Sequence, residues 1–123
     1  MSYIDGFVIP VPADKKEAFI AHAQEMDAIF IEMGALRVVE CWGDDVPNGK
    51  VTDFRGAVKA TSDEIICFSW IEWPDKPTRD ATFAKMHELM ETDERFDPKK
   101  NIPPFDGKRM IFGGFEPVVQ IGK

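Results

Sequence analysis

The segment 64–73 constrains the fold more than any other part of this sequence, because it predicts a strand that is apolar on both sides. Alternate residues of a strand point to opposite faces of its sheet. Large apolar side chains fall on both faces, with Ile66, Phe68 and Trp70 on one and Ile65, Cys67, Ile71 and Trp73 on the other. A sheet with one face in water alternates apolar and polar residues instead. Both faces of this strand must therefore be covered by protein.

Apolar periodicity along the chain predicts the order strand, helix, strand, strand, helix, strand. The predicted strands are 3–11, 36–43, 64–73 and 108–120. With 123 residues, this order predicts a single α+β domain over 1–123. The expected architecture is a ferredoxin-like βαββαβ fold, in which a four-stranded antiparallel sheet carries both helices on one face.

Local signals predict where several elements begin and bend. Asp14 and Glu17 resemble a capping box at the start of the first helix, and Asp75 is the expected N-cap of the second. A short helix is predicted at 52–59, within the long connection between the second and third strands. A Gly-Gly pair at 113–114 predicts a bulge or a close backbone contact in the last strand.

The second face of the sheet needs a cover that two helices on the first face cannot provide. Leaving that face in water would forgo roughly 1.5–3 kcal/mol for each large side chain. A second copy of the sheet, packed face to face about a two-fold axis, is the simplest cover, and we therefore predict a homodimer. The alternative is that the connection 44–63 and the proline-rich loop around Pro103 fold over this face within one chain.

Four long strings resemble a YbaA-like family of small bacterial proteins. They are 34–47 (GALRVVECWGDDVP), 51–59 (VTDFRGAVK), 68–74 (FSWIEWP) and 104–116 (PFDGKRMIFGGFE). The resemblance covers nearly the whole chain and implies a dimeric α+β barrel. It is a family of unknown function, so the resemblance implies no catalytic residues. Other families with this fold include cofactor-independent monooxygenases, lactone isomerases and haem-binding chlorite dismutases.

Composition and motifs argue against several classes of partner. The chain has 15 basic and 22 acidic residues, a net charge of −7 without a basic cluster typical of nucleic-acid binding. Apolar runs are far shorter than the about 20 residues of a membrane span. Two cysteines, Cys41 and Cys67, are expected to be reduced thiols of a cytoplasmic protein. Neither metal-ligand spacing nor a nucleotide-binding loop is present, so no metal or cofactor is predicted.

The sequence predicts a candidate ligand-binding site made of acidic, imidazole and aromatic side chains. Glu40 lies in an otherwise apolar strand, and His87 lies beside the apolar stripe of the second helix, so both are candidate proton-transfer groups. Residues expected to hold a ligand are Trp42, Trp70, His22, Glu72 and Arg109. The same residues also have explanations that need no functional site. The tryptophans can serve packing alone, the histidines can be exposed to solvent, and the charged residues can form ordinary ion pairs.

Two functional hypotheses follow. In the first, a small aromatic or lactone-like molecule binds in a pocket between sheet and helices, and the protein is a cofactor-independent monooxygenase- or isomerase-like enzyme. In the second, the dimer is a non-catalytic metabolite-binding or interaction module. A concave pocket with a desolvated carboxylate favours the first, and a filled core with both histidines in solvent favours the second.

Overall fold

A computed structural model describes residues 2–97, 99 and 101–123 of the chain. Its elements, in chain order, are β1 (Tyr3–Pro12), α1 (Lys16–Glu32), β2 (Arg37–Trp42), α2 (Phe54–Ala57), β3 (Glu64–Trp73), α3 (Lys76–Thr92) and β4 (Ile111–Phe115). Short 3₁₀ turns occupy Ala13–Lys15 and Glu94–Phe96. Pro98, one of the prolines of the loop after α3, lies outside the described residues.

The four strands form one antiparallel sheet in the order β2-β3-β1-β4. β1 is central and pairs with β3 along its whole length, from Tyr3 opposite Trp73 to Pro12 opposite Glu64. β2 lies along the other side of β3, and β4 lies along the other side of β1. This topology confirms the predicted ferredoxin-like α+β fold.

The helix starts agree only in part with the capping signals. Asp75 accepts a hydrogen bond from the backbone N–H of Thr78 at 2.7 Å, which confirms it as the N-cap of α3. The capping box at Asp14 and Glu17 is wrong, because a 3₁₀ turn precedes α1 and no side chain caps that helix. Lys15, the residue before α1, has φ −108° and ψ 20°, which is not the extended backbone that the cap residue of a capping box adopts.

β4 is shorter than predicted and contains no bulge. Its pairing with β1 runs without a break from Ile111 opposite Val8 to Phe115 opposite Ile4. Pro117 follows shortly afterwards and lacks the backbone donor that a continuing strand would need. The Gly-Gly pair instead allows a close contact, since a Cβ at Gly114 would collide with the Tyr3 side chain.

The helix-covered face of the sheet carries two packed clusters. One consists of Ile9, Val11, Phe19 and Cys67, and the other of Ala35, Ile71 and Trp73. Phe30 of α1 and Phe83 of α3 pack edge-on against Trp73, so both helices lie on the same face. Arg79 of α3 forms a 2.8 Å ion pair with Asp5, which is 2% exposed and also accepts a hydrogen bond from Trp73 Nε1. This bond network ties α3 to the middle of the sheet.

The opposite face is covered at one end and exposed over most of its area. We call it the open face; its residues are Ile4, Gly6, Val8, Phe68, Trp70, Ile111, Gly113 and Phe115. The connection after β2 reaches its edge, where Phe54 of α2 packs edge-on against Phe68 and where Ile66 is buried. Phe68 nevertheless stays 43% exposed and Phe115 61% exposed. The connection 44–63 therefore covers part of the open face, as one of the two predicted alternatives required. The proline-rich loop around Pro103 lies on the helix-covered face instead.

Candidate functional site

A cavity of about 140 Å³ lies between α1 and the sheet, in the gap that separates the two core clusters. Its walls are mainly apolar and come from α1, three strands and the loop that precedes β4. The lining residues are Phe7, Ile9, Phe19, His22, Ala23, Met26, Asp27, Phe30, Val38, Glu40, Ser69, Ile71, Phe105 and Met110. We call it the α1–sheet cavity. Its apolar lining and few polar groups are typical of a small-molecule site.

Glu40 reaches this cavity because of its place in β2. It pairs with Ser69 of β3, and both residues point to the helix-covered face. The Oε1 atom of Glu40 is buried, and no N–H or O–H group of the described protein residues donates a hydrogen bond to it. A carboxylate oxygen at such a position is costly unless a hydrogen-bond donor reaches it, so a donor in the cavity would bind there favourably.

Asp27 of α1 is the second carboxyl group of the α1–sheet cavity. Burial, a hydrogen bond with Glu40 and the negative charge of Glu40 together raise the pKa of Asp27 from 3.8 to about 8. The pair therefore holds a proton at neutral pH, and that proton on Asp27 is shared with Glu40. One carboxyl group that carries a proton beside one that can accept a proton provides both an acid and a base.

The nearby thiol of Cys67 is not a nucleophile. Burial first, and then the negative charge of Glu40, raise the pKa of Cys67 to about 12. Because the thiolate is the reactive form, this cysteine is inert at neutral pH. Both cysteines are free thiols, so the described residues contain no disulfide.

His22 lies in the wall of the cavity and has a defined hydrogen-bond partner. Its Nδ1 atom lies 3.0 Å from Oδ1 of Asn101, while Nδ2 of Asn101 donates to the backbone oxygen of Arg95 at 2.8 Å. That second bond fixes the amide orientation, so the histidine Nδ1 must carry the hydrogen. In the neutral ring, Nε2 is then the acceptor nitrogen. The bond also fastens the loop that contributes Phe105 to the cavity wall.

The structure brings two of the sequence-predicted site residues together and leaves the others elsewhere. Glu40 and His22 both line the α1–sheet cavity. His87 lies exposed on α3 and does not reach it. Trp42 packs against Phe19 on the same face of the sheet but does not line the cavity.

Trp70, Glu72 and Arg109 lie away from the cavity. Trp70 is on the open face, where its Nε1 donates to Glu72 Oε2 at 3.0 Å. Arg109 forms bidentate hydrogen bonds of 2.6 and 2.7 Å with Glu64, which is 5% exposed. These bonds hold the pKa of Glu64 down to about 2, so this pair fastens the loop before β4 to the start of β3.

The sequence analysis missed Asp27, although a signal for it was present. Asp27 follows Ala23 by four residues and so lies on the apolar face of α1, where a charged residue is out of place. The contribution of Phe105 had no such signal, because it depends on the path of an irregular loop. The site is recognised by an acidic residue that lies on the apolar face of a helix and pairs there with a second carboxyl group.

The described part of the chain has neither a membrane-spanning helix nor a cluster of metal ligands. No helix there is long and apolar enough to cross a membrane. No group of three or more histidine, cysteine or acidic side chains in residues 2–97, 99 and 101–123 is arranged to hold a metal ion.

Comparison with known proteins places this cavity in a family without an assigned activity. A family model described as a protein of unknown function (DUF1428) matches residues 2–107. The chain is 55% identical over 119 residues to the uncharacterized protein YbaA of Escherichia coli K12, covering 97% of this chain and 98% of the relative. The same values hold for the uncharacterized protein YbaA of Shigella flexneri. The chain therefore belongs to the DUF1428 family.

A solved structure supports the fold. The crystal structure of a dimeric ferredoxin-like protein from an uncultured marine organism superimposes with a TM-score of 0.63, covering 98% of each chain. Its sequence is 9% identical, so the similarity concerns the fold alone. The ferredoxin-like architecture and the membership of the YbaA-like family are thus both confirmed.

Proposed function

We propose that the protein is a cofactor-independent, isomerase-like enzyme that moves a proton within a small molecule bound in the α1–sheet cavity. The observation that carries this proposal is the pair of Glu40 and Asp27, two partly buried carboxyl groups that lie side by side in the cavity lining and offer a base and an acid. Acid and base groups with separated proton affinities are what such chemistry needs at neutral pH. Both groups face a cavity with room for a ligand.

The proposed step balances without a second reactant. Glu40 removes a proton from a carbon beside a carbonyl group, and Asp27 donates its proton to the carbonyl oxygen, which gives an enol. Return of a proton from Glu40 to a different atom, with the enol proton returning to Asp27, completes the isomerisation. A monooxygenase would also consume molecular oxygen, so the isomerase half of the sequence-based hypothesis is the one that this pair supports.

Exchange of carbon-bound protons with solvent tests this proposal. Cyclohexanone in D₂O has exchangeable α-protons and a ring of the right size, and NMR follows their loss. We expect the protein to accelerate exchange above the buffer rate and Glu40→Gln to remove at least about 99% of that acceleration. Glu72→Gln, which changes a carboxylate near the open face, is the matched control and should exchange like the wild type. Exchange at the buffer rate, or equal exchange by Glu40→Gln, contradicts the proposal.

We also propose that the protein works as a homodimer through the open face. Phe68, Ile111 and Phe115 are large apolar side chains that remain exposed there, around an apolar depression of about 630 Å³. This depression is larger than the α1–sheet cavity but lacks its carboxyl pair, so we assign it to association rather than to chemistry. The solved relative in fold is dimeric by its own description.

The same surface favours one alternative function, a non-catalytic interaction module. In that case the open face is the functional part and the α1–sheet cavity is a packing defect. The exchange experiment distinguishes the two, because a packing defect does not accelerate exchange. The two free thiols support a reducing, cytoplasmic setting for either function.

A further inference from the structure

We propose that the α1–sheet cavity takes an uncharged single-ring compound that carries a hydrogen-bond donor directly beside a carbonyl oxygen, as a cyclic amide does. This inference rests on the proposed function, because it concerns the same carboxyl pair. It names a class of compound that would occupy the same two carboxyl groups, with its N–H group at Glu40 where the substrate of the proposed reaction carries its acidic C–H group. Three properties of the cavity select this class: its charge, the hydrogen bonds that it leaves unmade, and its size.

The charge of the cavity argues against ionic ligands. Its described lining contains two carboxyl groups, neither lysine nor arginine, and one histidine, His22, whose Nδ1 is already bonded to Asn101. An anion would leave water for a site that offers Glu40 as a repelling charge and no cation in return. A cationic amine would pair with Glu40 but has no acceptor for the proton of Asp27. An uncharged molecule avoids both difficulties.

The unmade hydrogen bonds define a two-point match. Glu40 Oε1 is buried without a protein donor, so it needs an N–H or O–H group from the ligand. The carboxyl group of Asp27 lies beside Glu40, and its proton can be donated to an acceptor on a ligand that binds Glu40 Oε1. The N–H and C=O groups of a cyclic amide are adjacent and point the same way. A lactone has the acceptor but no donor, so the geometry favours a lactam over the lactone-like ligand expected from the sequence.

The size of the cavity sets the limit on the ring. An engineered apolar cavity of about 150 Å³ holds one benzene molecule. The α1–sheet cavity, at about 140 Å³, therefore has room for one six-membered ring. Phe7, Phe19 and Phe30 provide the apolar walls for the rest of that ring.

Three probes of nearly equal size test the match: 2-piperidone, N-methyl-2-piperidone and δ-valerolactone. Calorimetric titration of the wild-type protein should show 2-piperidone binding about tenfold more tightly than the other two, because only it donates to a charged oxygen. In Glu40→Gln the preference should fall to about twofold or less, since a neutral amide replaces the carboxylate. The control variant Glu72→Gln should keep the wild-type preference. The wild-type ranking alone decides the question if Glu40→Gln fails to fold.

Each remaining outcome overturns a stated part of the inference. Equal binding of 2-piperidone and δ-valerolactone removes the need for a donor. Tighter binding of cyclohexanecarboxylate or of cyclohexylammonium than of 2-piperidone shows that the ligand is charged. In either case Glu40-dependent exchange of cyclohexanone would leave the proposed function standing. Failure of all five compounds to bind, together with exchange at the buffer rate, refutes the proposed function and this inference together.

Discussion

Replacement of Asp27 by asparagine should make the protein more stable in alkaline solution. The proton of Asp27 is held more tightly in the folded state, where its pKa is about 8, than in the unfolded chain, where it is near 3.8. Because the folded state binds this proton more tightly than the unfolded chain does, the free energy of unfolding falls as the pH rises from the pKa of the unfolded chain to the pKa of the folded state. Asparagine has no such proton to lose, and its amide donates to Glu40 at every pH.

The size of the effect follows from the interval between the two pKa values. Each tenfold difference in proton affinity corresponds to about 1.4 kcal/mol, so the full interval sets an upper limit of about 6 kcal/mol. Asp27 retains partial contact with solvent, which screens part of this energy. We therefore expect Asp27→Asn to gain about 2 kcal/mol over the wild type above about pH 8, relative to the difference near pH 4.

Urea denaturation at a fixed protein concentration, repeated across this pH range, measures the gain. Asp75→Asn provides a control of opposite sign, because the hydrogen bonds from Thr78 lower the pKa of Asp75. That variant should lose stability relative to the wild type as the pH rises through the ordinary carboxyl range. If the free energies of unfolding of Asp27→Asn and the wild type differ by a constant amount at every pH, the shared proton does not exist.

Three further outcomes are expected. Arg109→Gln should lower the urea midpoint above about pH 5 and have little effect near pH 2, since the hydrogen bonds from Arg109 are the largest of the causes that lower the pKa of Glu64 to about 2. Phe115→Lys on the open face should convert the dimer to monomers in analytical ultracentrifugation, whereas Ile31→Lys on the helix side should not; a wild-type monomer at micromolar concentration would refute the proposed association. Cys67 should stay unreactive to a thiol reagent at about pH 8 until urea unfolds the chain, and fast labelling in the native state would contradict its pKa of about 12.

The fold could be predicted because it depends on patterns among neighbouring residues. The spacing of a few such residues predicts the two apolar faces of β3, the apolar face of α1 and the N-cap at Asp75. The length of β4 was overestimated, because apolar residues continue beyond Phe115 although Pro117 lacks the backbone donor that a continuing strand needs. Apolar composition alone does not distinguish a strand from an exposed tail.

The site was less predictable, because it depends on which distant residues meet. Glu40 stood out as a carboxylate among apolar neighbours, but its partner comes from a helix that precedes it in the chain. His87 and His22 have similar positions beside helix stripes, and only the packing of the helices decides that one lines the cavity and the other faces solvent. Arg109 could equally have met Glu64 or a ligand, since an arginine in a loop reaches any carboxylate nearby.

The alternation of β3 has a consequence for how this protein can change. Ser69 and Ile71 border the α1–sheet cavity, while Phe68 and Trp70 belong to the open face. Odd-numbered and even-numbered positions of one strand thus border two different surfaces, separated by the thickness of a backbone. Under the two proposals above, substitutions at odd-numbered positions should alter ligand binding, and substitutions at even-numbered positions should alter self-association.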